Sequence, residues 1–123
     1  MCELKFDRIR DRLFQIRESV ELIEERVGEI AEPADFLTTP KGVFVFDACV
    51  LRLQVIGENV KKILDESENP LEKYHEIPWR AIVSLRNIIS HEYANVDEEI
   101  VFQVIKEDLP KLKAVVDELL CTN

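Results

Sequence analysis

Between Leu4 and Ile30 an apolar side chain returns every three to five residues: Leu4, Ile9, Leu13, Ile16, Val20, Ile23, Val27 and Ile30, with acids and arginines filling the gaps. That spacing follows the 3.6-residue repeat of an amphipathic α-helix. Gly28 and Pro33 close the pattern, and AEPADFLTTPKG reads as a loop in which Thr39 caps a second helix with Pro40 in its first turn. The stretch from 41 to 66 is apolar around much of its circumference, which suggests a central helix. Its opening VFVF resembles a strand, but the length and the later spacing favour helix. Gly57 within it costs roughly 1 kcal/mol relative to alanine and allows another helix close approach. Asn69-Pro70 begins a short turn or helix through Tyr74, and Ile77-Pro78-Trp79 opens a third helix to about Tyr93. Asp97 can cap a fourth helix, and Pro110 sits in the first turn of a last one, kinked from its predecessor. Only three glycines and five prolines are present, which disfavours a turn-rich β chain. The expectation is an all-α, antiparallel bundle of four to five helices in a single domain over 1–123.

The three cysteines, Cys2, Cys49 and Cys121, form no C-x-x-C pair. This argues against a disulfide framework or zinc site and for reduced thiols in a cytoplasm. The charged N-terminus has no apolar core of a signal peptide, and no run approaches the roughly 18 apolar residues of a membrane span. Phosphate-binding loops, nucleophile elbows and H-E-x-x-H pairs are absent from the sequence. No histidine or carboxylate spacing suggests a metal, and no cofactor is expected. Glu98 and Glu99 suit the first turn of a helix better than a metal cluster. A net charge of −9 repels nucleic acid on average, so RNA binding requires a local positive cleft.

The stretch SLRNIISHEY, 84–93, carries the chemistry-bearing residues. On a wheel of about 100° per residue, Trp79, Ile82, Val83, Ile89, Ser90 and Tyr93 fall within about 60° of Arg86, near the centre of an apolar stripe. Asn87 and His91 share a neighbouring polar stripe with Arg80 and Ser84. A guanidinium cannot shed its proton, and unpaired burial costs several kcal/mol. Arg86 must therefore meet a carboxylate, reach water or lie at a subunit seam. Glu58 and Asp47 are the candidate carboxylates. Taken alone, Arg86 fits a structural ion pair as well as a functional role, and His91 fits a surface histidine.

RNIISHEY has the pattern R-x4-H-x-Y, which resembles the signature of the HEPN superfamily and its HepT-like toxins. VIGENVKKI looks like that family's G-E segment, IPWRAIVSLRNIISHEYANVD matches its habit of placing Pro-Trp before the motif and a break after it, and DLPKLKAVVDELL is similar to its closing helix. The resemblance spans most of residues 40 to 121. It implies an all-α bundle that dimerises, with motif residues of both subunits facing one cleft. It also implies a metal-independent endoribonuclease toxin, with a nucleotidyltransferase of the MNT type as antitoxin and Tyr93 as a target of AMP transfer. RNA supplies its own nucleophile, the 2′-hydroxyl. His91 can act as acid or base near neutral pH, and Arg86 can hold phosphate oxygens in its planar fork. Asn87 can orient phosphate or His91, Tyr93 can contact substrate, Arg80 can extend the positive surface, and Ser90 is a further supporting residue. Residues 77 to 91 hold two arginines and no acid, so the helix is locally positive. The competing reading is a non-catalytic HEPN module that binds nucleotide or a nucleotidyltransferase. The intact Arg86 and His91 pair argues against it.

Overall fold

A computed structural model describes residues 2–121, with side chains described from residue 7 onward. Helix α1 (Cys2–Arg26) buries Ile9, Leu13, Ile16, Val20 and Ile23 on one stripe, as the spacing requires. Leu4 and the Cys2 thiol lie outside the described side chains. The helix closes at Arg26. Val27 still donates to the Ile23 carbonyl (3.0 Å), and Ile30 donates back to Val27 (2.9 Å), so both stay in the core through a turn around Gly28.

The connection to the next helix is more ordered than a loop. A 3-10 turn over Pro33–Phe36 is held by the Asp35 carboxylate, which accepts from the backbone N–H of Ala31 (2.9 Å) and Glu32 (3.1 Å). It presents Phe36 to the core, fully buried, edge-on to Phe46 (5.1 Å between ring centroids) and Phe102 (6.4 Å). Helix α2 (Pro40–Leu64) starts as expected. The Thr39 hydroxyl accepts from the Gly42 N–H at 2.9 Å, and Pro40 occupies the first turn, where a missing N–H costs nothing.

Asn69 then makes a side-chain turn by accepting from the Leu71 N–H (2.8 Å), which seats Leu71 in the core. The Trp79 indole donates to the Tyr74 carbonyl (3.0 Å) and pins the entry to helix α3 (Trp79–His91). Helix α3 ends two residues earlier than the wheel assumed. Glu92 leaves helical geometry (φ −142°, ψ 55°), and Tyr93–Asn95 forms a 3-10 turn.

Asp97 caps helix α4 (Glu98–Gln103), accepting from Glu99 N–H at 2.8 Å. The kink expected at Pro110 takes another form. A π-helical turn over Val104–Asp108, in which Leu109 donates to the Val104 carbonyl, joins α4 to helix α5 (Leu109–Cys121) without a break in the helical residues. Proline lacks an N–H and crowds the carbonyl four residues back, and the widened turn absorbs both defects.

The described residues contain no strand. The rods lie side by side in the order α5, α1, α2, α3, each antiparallel to the next. Lys113 pairs with Glu24 and Arg17 with Asp117 across α5–α1, Arg8 with Glu66 across α1–α2, and Arg86 with Glu58 across α2–α3. Helix α2 is the central one, as its apolar circumference suggests. A buried polar knot fixes its register on α1. The Asn59 carbonyl accepts from Arg12 (3.2 Å), while its amide donates to Gln15 (3.2 Å) and to the Val55 carbonyl (3.0 Å). No helix among the described residues is long and apolar enough to cross a membrane.

Candidate functional site

Among the described residues helix α3 packs chiefly on α2, and its far side, with Arg80, Ser84, Asn87 and His91, is exposed. Its buried stripe is Ile82, Leu85 and Ile89. Arg86 therefore stands on the flank of the stripe that meets α2, not at its centre. Ser90 is exposed, and Tyr93 lies beyond the helix. Arg80, Ser84, Asn87 and His91 form an exposed polar stripe, as the wheel gave.

Gly57 explains how an arginine fits at the helix contact. A β-carbon at Gly57 would lie 2.4 Å from the Arg86 β-carbon and 3.2 Å from the Ile82 carbonyl oxygen, so only glycine lets the two backbones come this close. The next residue of α2, Glu58, then receives the guanidinium in an ion pair through Nη2. Nη1 donates to the Asn87 side-chain oxygen at 2.9 Å. Nε is buried with no acceptor among the described residues. Of five N–H groups, one is thus sealed and two are engaged, leaving one on each terminal nitrogen for another partner. Lys62 also reaches Glu58 (3.4 Å). Burial acts to raise the Glu58 carboxyl, but the hydrogen bond and charge of Arg86, joined by Lys62, outweigh it and hold the group below the usual carboxylate range.

Of the two carboxylates considered for Arg86, Glu58 is the partner and Asp47 is not. Asp47 instead accepts from the Tyr93 hydroxyl at 2.5 Å. That hydrogen bond, then partial burial, then the Asp47 charge push the phenol up to about 12. The backbone change at Glu92 is what turns Tyr93 back across the end of α3 onto α2. Between these two bonds the Gln54 amide donates to the Ser90 hydroxyl at 3.0 Å. Residues 47, 54 and 58 occupy one stripe of α2 and meet 93, 90 and 86 in antiparallel register. The Gln54 contact and the Asp47–Tyr93 pair were not foreseen, although the common stripe of 47, 54 and 58 could have signalled both. Glu58 of α2 meets Arg86 and is shared with Lys62 (3.4 Å), so one acid faces two cations there, with Arg80 beyond them.

His91 closes α3, exposed and with no side-chain hydrogen bond among the described residues. Its imidazole is free to meet a substrate, and Asn87, one turn before it, links its stripe to Arg86. Beside Asp47 the outer face of α2 carries an open apolar groove of about 630 Å³ lined by Pro40, Val43, Phe44, Ala48 and Leu51, with Phe44 79% exposed. Cys49 is buried on the inner side of α2, and burial pushes its thiol up to about 11, so it is a core residue and not a nucleophile. No group of three histidine, cysteine or carboxylate side chains among the described residues is placed to hold a metal ion.

The family profile described as Ribonuclease HepT-like matches residues 16–119. A protein of Thermococcus cleftensis named probable ribonuclease HepT is 38% identical over 111 residues, covering 89% of this chain and 94% of the relative. A candidate RNase of Caldanaerobacter subterraneus subsp. tengcongensis is 33% identical, covering 90% and 93%. A Methanocaldococcus jannaschii protein named as a gamma-glutamylcyclotransferase and candidate RNase is 40% identical over 101 residues. That match covers 82% of this chain but only 42% of the relative. No solved structure matches.

Proposed function

This chain belongs to the ribonuclease HepT-like family, and from that premise we propose that it is a metal-independent endoribonuclease toxin, with Arg86 and His91 as its catalytic residues. The observation that carries the reading is the contrast between the two motif side chains. Arg86 is locked by Gly57 and Glu58 with two N–H groups to spare, while His91 stands exposed without a partner. An anchored guanidinium suits a phosphate whose charge grows in the transition state, and a free imidazole suits proton transfer. The 2′-hydroxyl attacks the adjacent phosphorus, the 5′-oxygen leaves, and the products are a 2′,3′-cyclic phosphate and a 5′-hydroxyl. Two proton transfers are needed and each chain offers one histidine at the motif. We therefore assign the working site to a homodimer in which His91 of one subunit serves as base and that of the other as acid. The open apolar groove beside Asp47 and Tyr93 gives a second copy a surface to cover. The same reading makes Tyr93, half exposed at the rim, the acceptor of AMP from a nucleotidyltransferase antitoxin of the MNT type. The added phosphate and nucleoside would obstruct the cleft and set a negative charge against RNA. Arg80 and Asn87 extend the phosphate-facing surface.

The test is His91→Ala. Loss of cleavage by about 10²–10⁴-fold is expected, together with loss of growth arrest on expression, an unchanged helical signal and an unchanged thermal transition. Equal cleavage by the variant removes His91 from the chemistry. Cleavage lost together with the fold is resolved by His91→Gln, which keeps a polar group at the helix end.

A further inference from the structure

Tyr93 and Asp47 form a pair whose hydrogen-bond direction is fixed by chemistry. An ionised carboxylate can only accept, so the single phenolic hydrogen points at Asp47 across 2.5 Å. The raised phenol keeps that hydrogen on its oxygen throughout the neutral range. What Tyr93 shows to solvent is then an oxygen that accepts and does not donate, and the other oxygen of Asp47 has the same character. This corner of the site attracts hydrogen-bond donors and repels phosphate. At the other end of the seam, the spare N–H groups of Arg86 attract phosphate. The partners of Tyr93 and Arg86 on α2, Asp47 and Glu58, stand eleven residues apart, about 16 Å along that helix. That is more than one phosphate and its own ribose can span, so the two ends meet different nucleotides of a strand.

We propose that Asp47 fixes Tyr93 as a hydrogen-bond acceptor for a ribose 2′-hydroxyl, so that the pair selects RNA over strands lacking that donor. Asp47 is the positioning residue and Tyr93 the contact. The assignment rests on the ribonuclease reading for its substrate. It adds a specificity element outside the phosphate and proton-transfer groups, on a nucleotide other than the one cleaved. Gln54 on Ser90 holds the seam between the two ends in register, so the acceptor corner and Arg86 keep a constant offset. Without Asp47 the phenol can rotate and donate, and an oxygen that both donates and accepts no longer distinguishes a hydroxyl from an acceptor such as fluorine.

The experiment uses the full chain carrying His91→Ala, so that strands stay intact, and compares binding of two oligonucleotides of one sequence. One is all-ribose. The other is 2′-fluoro throughout, which keeps the ribose-like sugar pucker and removes the donor. The His91→Ala protein is expected to bind the ribose strand up to about tenfold more tightly, the upper end of what one ordinary net hydrogen bond contributes. Adding Tyr93→Phe or Asp47→Ala should bring the ratio close to one. A ratio near one in the starting protein, a ratio retained in either double variant, or no binding to either strand overturns the assignment. If the ratio behaves as expected but the wild type does not cleave RNA, the ribonuclease reading fails and the hydroxyl contact stands. Tyr93→Phe carries the test if Asp47→Ala does not fold.

Discussion

Gly57→Ala is the sharpest single perturbation of the α2–α3 contact. In an exposed helix this change stabilises by about 1 kcal/mol. Here the new methyl would lie 2.4 Å from the Arg86 β-carbon and 3.2 Å from the Ile82 carbonyl oxygen. Neither atom belongs to a flexible chain end, so rotating a side chain does not relieve the clash. Ordinary contact begins at 3.4 Å, and 3.4 minus 2.4 is about 1 Å by which α3 must retreat. Overpacking of this kind costs about 1–3 kcal/mol. After subtracting the helical gain the variant should be less stable by about 0–2 kcal/mol, or up to about 8 °C in Tm for a chain of this size. The effect on cleavage should be larger. A retreat of about 1 Å draws the guanidinium away from Glu58 and from its substrate position, and misplacement on that scale costs about 10²-fold. Gly28→Ala is the control, because nothing lies within 4 Å of a β-carbon there. Thermal unfolding and RNA cleavage on both variants provide the assay. A Gly57→Ala protein with raised Tm and full activity would refute the claim that glycine is required for the Arg86 cradle.

Phe36→Ala removes a fully buried ring that meets Phe46 and Phe102, and a loss of about 3–5 kcal/mol is expected in denaturant unfolding. In a Tyr74→Phe background the absorbance of the remaining tyrosinate should appear near pH 12, and Asp47→Ala should bring it back towards 10. The sign for stability follows from a folded-state pKa above the unfolded one. The Tyr93–Asp47 contact contributes fully below pH 10 and is lost as pH rises towards 12, so Asp47→Ala should narrow its stability gap to wild type across that window. Glu58 has the opposite sign. Its lowered carboxyl contributes at neutral pH and loses that contribution on acidification, so Glu58→Gln should be closest to wild type in stability at low pH.

The helical architecture was legible because burial leaves a periodic trace. Ile9 through Ile30 and the α2 stripe can be read directly, and Thr39-Pro40 and Asp97 mark their helix starts. What escaped depended on atoms distant in sequence. The Pro33–Phe36 turn is set by one carboxylate and by a ring packing on Phe46 and Phe102, and neither has a periodic signature. Arg86 was placed too near the middle of its stripe because a wheel knows angles but not neighbours. Among the described helices α2 is the main cover of this one, and it packs off-centre through Gly57. Asp47 was offered to Arg86 for the same reason, since the turn at Glu92 that sends Tyr93 to it is invisible in the spacing.

The claim on which the account turns is that RNA is cut by its own 2′-hydroxyl with help from Arg86 and His91. It is tested most directly by the chemical ends left on an RNA oligonucleotide by the purified full chain in excess chelator. The account predicts 2′,3′-cyclic phosphate and 5′-hydroxyl ends, made by the wild type and not by Arg86→Ala or His91→Ala. Ends of 3′-hydroxyl and 5′-phosphate, or activity that disappears with chelator and returns with a divalent cation, would contradict it.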